Sequence, residues 1–139
     1  MAIEIKSTEF ETLVIQASAQ KPVLVDFWAN WCNPCKVLGR ILDEVEPAWA
    51  EKITFAKLDT EKEQQIAARY NVSSIPYVAL FSDGKIKDHF TGALPKNELI
   101  SFLDKNLPNP FIKDAIKFLN DGNLTAASQS ILKANTKGS

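Results

Sequence analysis

Both cysteines of this 139-residue chain stand in one segment, Trp31-Cys32-Asn33-Pro34-Cys35-Lys36. Two thiols separated by two residues can close a small disulfide and open it again, so the chemistry on offer is redox exchange at sulfur. The nucleophile in such exchange is a thiolate. Its pKa falls at a helix N-terminus, where unpaired N–H groups and the helix dipole favour negative charge. The flanking sequence provides that setting. Residues 23–29, VLVDFWA, form an apolar run read as a buried strand. From Pro34 to about Trp49, the residues Cys35, Leu38, Leu42, Val45 and Trp49 recur at alternating spacings of three and four, the stripe of an amphipathic helix. Cys32 therefore lies where a strand hands over to a helix. Redox work further requires its sulfur to be ionised near neutral pH and reachable by solvent.

Two blander uses of the pair are weighed against this. A structural bridge between residues three apart closes a very short loop and gains little chain entropy. The chain is also long enough to bury its own core. Structural zinc wants four ligands, and His89 is the one histidine available beyond the two thiols. Dimerisation could complete four sulfurs, but a proline between the thiols does not call for it.

Asp26 is the anomaly of its strand. It shares a face with Leu24 and Trp28, which places it in the interior beside the helix carrying Cys35. A buried carboxyl tends to a raised pKa, which suits a group that accepts a proton near neutrality. One reading makes Asp26 the base that deprotonates Cys35, directly or through water. The other makes it a structural acid paired with Lys57, the one cation inside strand 53–58. The two are compatible, because the lysine would tune the acid. Pro76, in Ser74-Ile75-Pro76, sits between a loop and an apolar strand, where a cis bond would fit a bend; base rates alone favour trans. Trp28 reads as core, and His89 as a solvated strand residue without a role.

The remaining elements must position these groups. Ile3 and Ile5 alternate with charges in a short first strand. Thr8-Glu9-Phe10-Glu11 has capping-box form and opens a helix with Phe10, Leu13, Val14 and Ala17 on one face. Ile53 to Leu58 is an apolar strand. Thr60 with Glu63 forms a second capping box before a helix carrying Ile66, Ala67 and Tyr70. Tyr77 to Phe81 is a strand, Ser82-Asp83-Gly84-Lys85 a hairpin turn, and Ile86 to Phe90 the returning strand. Pro95 starts a helix with Leu99, Phe102 and Leu103 inside. The order βαβαβαββα predicts an α/β fold. Strands separated by helices are expected to run parallel and the hairpin antiparallel, giving a mixed sheet with helices on both faces.

Leu107-Pro108-Asn109-Pro110 then interrupts the chain. Beyond it, Ile112, Ala115, Ile116 and Leu119 make one apolar stripe, and Leu124, Ala127, Ile131 and Leu132 another, across the turn Asp121-Gly122-Asn123. The pattern predicts a helical hairpin at 110–134. It divides the chain into domain 1–107 and an extension, 108–139, whose last residues, Lys137-Gly138-Ser139, read as an expression remnant. A net charge of −1 gives no basic excess for nucleic acid or an anionic membrane surface. No apolar run reaches membrane-spanning length, and the N-terminus has no signal-peptide form. A reducing, cytoplasmic compartment is the expectation; a chain stripped of its leader would read the same.

Lys21-Pro-Val-Leu-Val-Asp-Phe-Trp-Ala-Asn-Trp-Cys-Asn-Pro-Cys-Lys36, with Ala56-Lys-Leu-Asp59, Ser74-Ile-Pro76 and Phe90-Thr-Gly92-Ala, resembles the thioredoxin family over about residues 3–107. The resemblance implies the thioredoxin fold and thiol–disulfide oxidoreductase activity that reduces protein disulfides, with Cys32 attacking and Cys35 resolving. It implies a redox-active Cys32–Cys35 disulfide with no bound cofactor or metal, and Asp26 with Lys57 as a buried proton relay. It further implies a cis Pro76, and a substrate surface of Trp31, Ile75, Pro76 and Gly92 flanked by Asn33 and Pro34. Electrons would come from NADPH through a flavin-containing thioredoxin reductase and pass to disulfide-bearing client proteins, serving electron transport and cell redox homeostasis. This sequence departs from the family at Asn33, where glycine is usual, at Gly39-Arg40, where a helix-kinking proline is usual, and at Tyr77, where threonine is common. The dipeptide between the thiols helps set redox poise, and no histidine lies there as in strongly oxidising relatives, so a reductant is expected. The extension resembles one helical repeat of tetratricopeptide type, which cannot bury its faces alone. It would fold back, pair with a second molecule in self-association, or belong to a longer array. The rival reading is a client-binding or chaperone module whose tail holds partners.

Overall fold

A computed structural model describes residues 2–107. The anticipated hairpin at 110–134 lies outside the described residues. Two compact units divide the chain between Lys96 and Asn97.

In the first unit the strands are β1 (Ile3–Glu4), β2 (Val23–Trp28), β3 (Thr54–Asp59), β4 (Tyr77–Ser82) and β5 (Lys85–Thr91), with helices α1 (Asn33–Trp49) and α2 (Gln64–Arg69). They form one five-stranded sheet in the order β1-β3-β2-β4-β5. β1 and β2 both run parallel to β3, while β4 is antiparallel to β2 and to β5. The expectation that helix-separated strands run parallel therefore fails at β4. Tyr77, the first residue of β4, pairs with Phe27, whose other neighbour is Leu58 near the end of β3, so β4 starts near the end where β3 stopped and runs the other way.

Alternation along β2 sorts its side chains between two faces. Val23, Val25 and Phe27 belong to a buried cluster with Phe10, Val14, Ile66 and Phe81. Phe10, Tyr70 and Phe81 meet one another in tilted and edge-to-face contacts, with ring centroids 5.4–5.7 Å apart. Leu24, Asp26 and Trp28 point the other way, toward α1. That helix begins where expected: Cys32 is its N-cap, and Pro34 occupies the first turn, where a missing N–H costs nothing. Cys35, Leu38, Leu42 and Val45 are buried along it, each large apolar side chain contributing roughly 1.5–3 kcal/mol. The helix is continuous through Gly39-Arg40, and it ends soon after Pro47, which lacks a donor N–H.

Both capping boxes are corrected. The segment before β2 is irregular, with 3₁₀ turns at Ser7–Glu9 and Ala17–Ala19 around a wider π-type coil at Glu11–Gln16. Its start is capped two residues early, where Glu9 Oε1 accepts from the Lys6 N–H at 3.0 Å. Leu13, expected inside, is 37% exposed, because the π coil turns it off the Phe10–Val14 face. At α2, Glu63 is already engaged by the Ser7 N–H and hydroxyl (2.8 and 3.0 Å), and Thr60 donates to the Trp28 carbonyl. Asp59 instead accepts from the Glu61 and Lys62 N–H groups. The hairpin turn is as read: Asp83 and Gly84 both have positive φ, the two-residue form that matches strand twist. The second unit contains most of α3 (Lys96–Asn106), with Leu99, Phe102 and Leu103 buried.

Candidate active site

Cys32 and Cys35 are joined as a disulfide at the first turn of α1. Cys32 Sγ accepts the Cys35 N–H at 3.2 Å, so the helix start aims a donor at this sulfur. In the reduced protein that bond becomes charge-assisted and favours the thiolate. The pair packs with Ala29, against Trp28 and Ile75, and the Ile75 carbonyl oxygen lies 4.0 Å from Cys32 Sγ. Cys32 is only 4% exposed and Cys35 3%. In this oxidised form the solvent access expected of Cys32 is therefore narrow. Burial against the strand-end residues, which sequence spacing does not reveal, leaves a thin accessible edge.

Around that edge, the Ile75–Pro76 bond is cis, and Gly92, at φ 85°, donates its N–H to the Pro76 carbonyl at 2.9 Å. These two loops are thus fixed to each other. Trp31 is 68% exposed, its indole Nε1 donating to Glu61 Oε1 at 3.0 Å. Asn33 and Pro34 are exposed in the first turn of α1. Pro76 is itself buried, leaving Trp31 and the half-buried Ile75 as the apolar surface beside the sulfurs.

Beneath the disulfide lies a cavity of about 320 Å³ bordered by Asp26, Trp28, Cys35, Gly39 and Lys57. Asp26 is 6% exposed, and its Oδ1 takes no hydrogen bond from the described residues. Burial pushes its carboxyl up to about 7, while the Lys57 charge pulls down by less. Asp26 and Lys57 are register partners on β2 and β3, and Lys57 Nζ sits over the Trp28 ring, 5.3 Å from its centroid. Lys57 is therefore shared between the acid and an aromatic face. Among the described residues, no group of three or more His, Cys, Asp and Glu could hold a metal ion, and no helix is long and apolar enough to cross a membrane.

Sequence reasoning missed two participants. Trp28, assigned to the core, borders both disulfide and cavity; its alternation with Asp26 along β2 was the available signal. Glu61, which holds Trp31, left none, because the bond joins residues 30 apart.

A vicinal-type dithiol at a helix start, over a buried carboxyl and beside a cis-proline loop, defines a thiol–disulfide oxidoreductase. A family model described as thioredoxin matches residues 1–105. The chain is 36% identical over 107 residues to thioredoxin 1 of Synechococcus elongatus, covering 77% of this chain and 98% of that protein. It is 39% identical over 105 residues to the thioredoxin of Pseudomonas aeruginosa, covering 76% and 95%. To the chloroplastic thioredoxin Y2 of Arabidopsis thaliana it is 43% identical over 90 residues, 65% of this chain and about half, 54%, of that one. The chain belongs to the thioredoxin family.

Proposed function

We propose that this protein reduces disulfides of client proteins in a cytoplasmic compartment, with Cys32 as nucleophile and Cys35 as resolving thiol. Cys32 thiolate attacks one sulfur of the client disulfide, forming a mixed disulfide and releasing the other client sulfur as a thiolate that takes a proton from solvent. Cys35 gives its proton to the Asp26 carboxylate, and the resulting thiolate attacks Cys32 Sγ. The Cys32–Cys35 bond forms, the client–Cys32 bond breaks, and the second client thiolate is protonated. Two electrons have passed to the client. Lys57 tunes Asp26 by opposing its desolvation. Trp31, Ile75, Pro76 and Gly92, with Asn33 and Pro34 at the helix start, receive the client chain. A thioredoxin reductase carrying electrons from NADPH restores the dithiol.

The observation that carries this reading is the Cys35 N–H aimed at Cys32 Sγ at a helix start, over a carboxyl held near neutrality. Insulin reduction with dithiothreitol or a reductase tests it: Cys32→Ser should abolish turnover, and activity surviving that change would sink the mechanism. The division into domain 1–107 and extension 108–139 belongs to the proposal, as does a partner-binding or self-associating tail; the family match ends at residue 105. Partner binding lost on tail deletion, with disulfide reduction intact, would favour the client-binding reading.

A further inference from the structure

Client docking as proposed uses two loops from different strands, Ile75-Pro76 ahead of β4 and Gly92 behind β5. The Gly92 N–H joins them by donating to the Pro76 carbonyl at 2.9 Å. That bond lies beyond the last ladder pair, Tyr77 with Thr91, and β5 is an outer strand of the sheet. The open end of an edge ladder is where strands part most readily.

Side chains next to that end resist the parting. Tyr77 and His89 are diagonal neighbours across β4 and β5, since Tyr77 pairs with Thr91 and Ala79 with His89. Their rings stack, with centroids 5.3 Å apart and planes 29° from parallel. On its other flank Tyr77 meets Phe27, its register partner on β2, edge to face at 5.6 Å. Phe27 is fully buried, Tyr77 half-buried and His89 exposed. A row of three rings thus runs from the central strand of the sheet to its edge, directly behind Pro76. The row lies on the face opposite Asp26 and Trp28, and none of its members borders the cavity beneath the disulfide. An aromatic pair of this geometry shifts an equilibrium by about two- to tenfold beyond its burial. A threonine at position 77 would offer no ring to either neighbour.

We propose that Tyr77 and His89 are positioning residues for the client, an aromatic brace that holds the Pro76 and Gly92 loops at the separation a docked chain needs. The brace governs how well a protein client docks and leaves exchange between Cys32 and a small disulfide unchanged. This rests on the reading that clients dock against Pro76 and Gly92.

The test measures second-order rates of the full reduced chain with two oxidants: insulin, which uses the docking surface, and the small disulfide dithiobis-nitrobenzoate, which does not. Mass spectrometry of acid-quenched samples follows the first, and absorbance of released thionitrobenzoate the second. Tyr77→Thr and His89→Ala should each slow the insulin reaction about two- to tenfold and keep the small-disulfide rate within about 1.5-fold. Tyr77→Phe and His89→Phe, which keep a ring, should restore the insulin rate. The double variant Tyr77→Thr with His89→Ala should be no slower than the slower single one, because the two rings act as a unit. Thermal melts establish that each variant is folded at the assay temperature; His89→Ala, at an exposed position, carries the test should Tyr77→Thr fail to fold. Insulin rates within about 1.5-fold of the parent in the folded variants overturn the brace. Losses shared by both oxidants, or additive losses in the double variant, overturn it equally. A parent that reacts with dithiobis-nitrobenzoate and not with insulin overturns the docking reading itself, and the brace with it.

Discussion

Replacing Asp26 by asparagine in the oxidised protein is expected to raise stability at pH 8 and to change it little at pH 4. The folded protein holds the Asp26 proton more tightly than the unfolded chain does, since burial raises the carboxyl from 3.8 to about 7. Stability from that proton is fully present below about pH 4 and is lost as pH rises through about 7. At about 1.4 kcal/mol per pH unit, the interval comes to about 4 kcal/mol of destabilisation carried by the ionised form. Partial relaxation and water entry make this an upper figure. The asparagine amide has a burial cost of its own, but that cost does not vary with pH, so the slope carries the test. Urea unfolding of both proteins across pH 4–8.5 should give curves that diverge by a few kcal/mol toward alkaline pH. Parallel curves would refute the desolvated carboxyl, and with it the proton-acceptor role built on it.

Three further outcomes are expected. Cys35→Ser should accumulate a stable mixed disulfide between Cys32 and client, visible by non-reducing mass spectrometry, because the resolving thiolate is gone. Phe10→Ala should cost about 3–5 kcal/mol in denaturant unfolding, since the ring is fully buried between Tyr70 and Phe81. Gly84→Ala should cost about 1 kcal/mol or more, because φ is +79° and the new Cβ would sit 3.4 Å from Ile15 Cγ2. Melting temperature reads that loss.

What was legible in the chain depended on range. Periodicity over residues 33–49 located α1 to within a residue, and the lone aspartate in an apolar strand marked Asp26, because both signals are local. The antiparallel β4 was not legible by rule, since the 60–76 connection is long enough for either direction and pairing with the distant β2 decided it. The Thr60–Glu63 capping box failed because Glu63 was taken by Ser7, 56 residues away, and such competition leaves no local mark. The burial of Cys32 beneath Ile75 and the cavity beside Gly39 are likewise products of packing between distant segments. The family resemblance supplied the Pro76 and Gly92 juxtaposition, which spacing alone does not give.

The most direct measurement is the alkylation rate of Cys32 in the reduced protein as a function of pH, with Cys35→Ser present to isolate it. A helix-start N–H aimed at this sulfur should bring half-maximal reactivity below the ordinary thiol value of about 8.5. Reactivity that rises only at or above that value, or a thiol that fails to react while the fold stays intact, would contradict a nucleophilic Cys32.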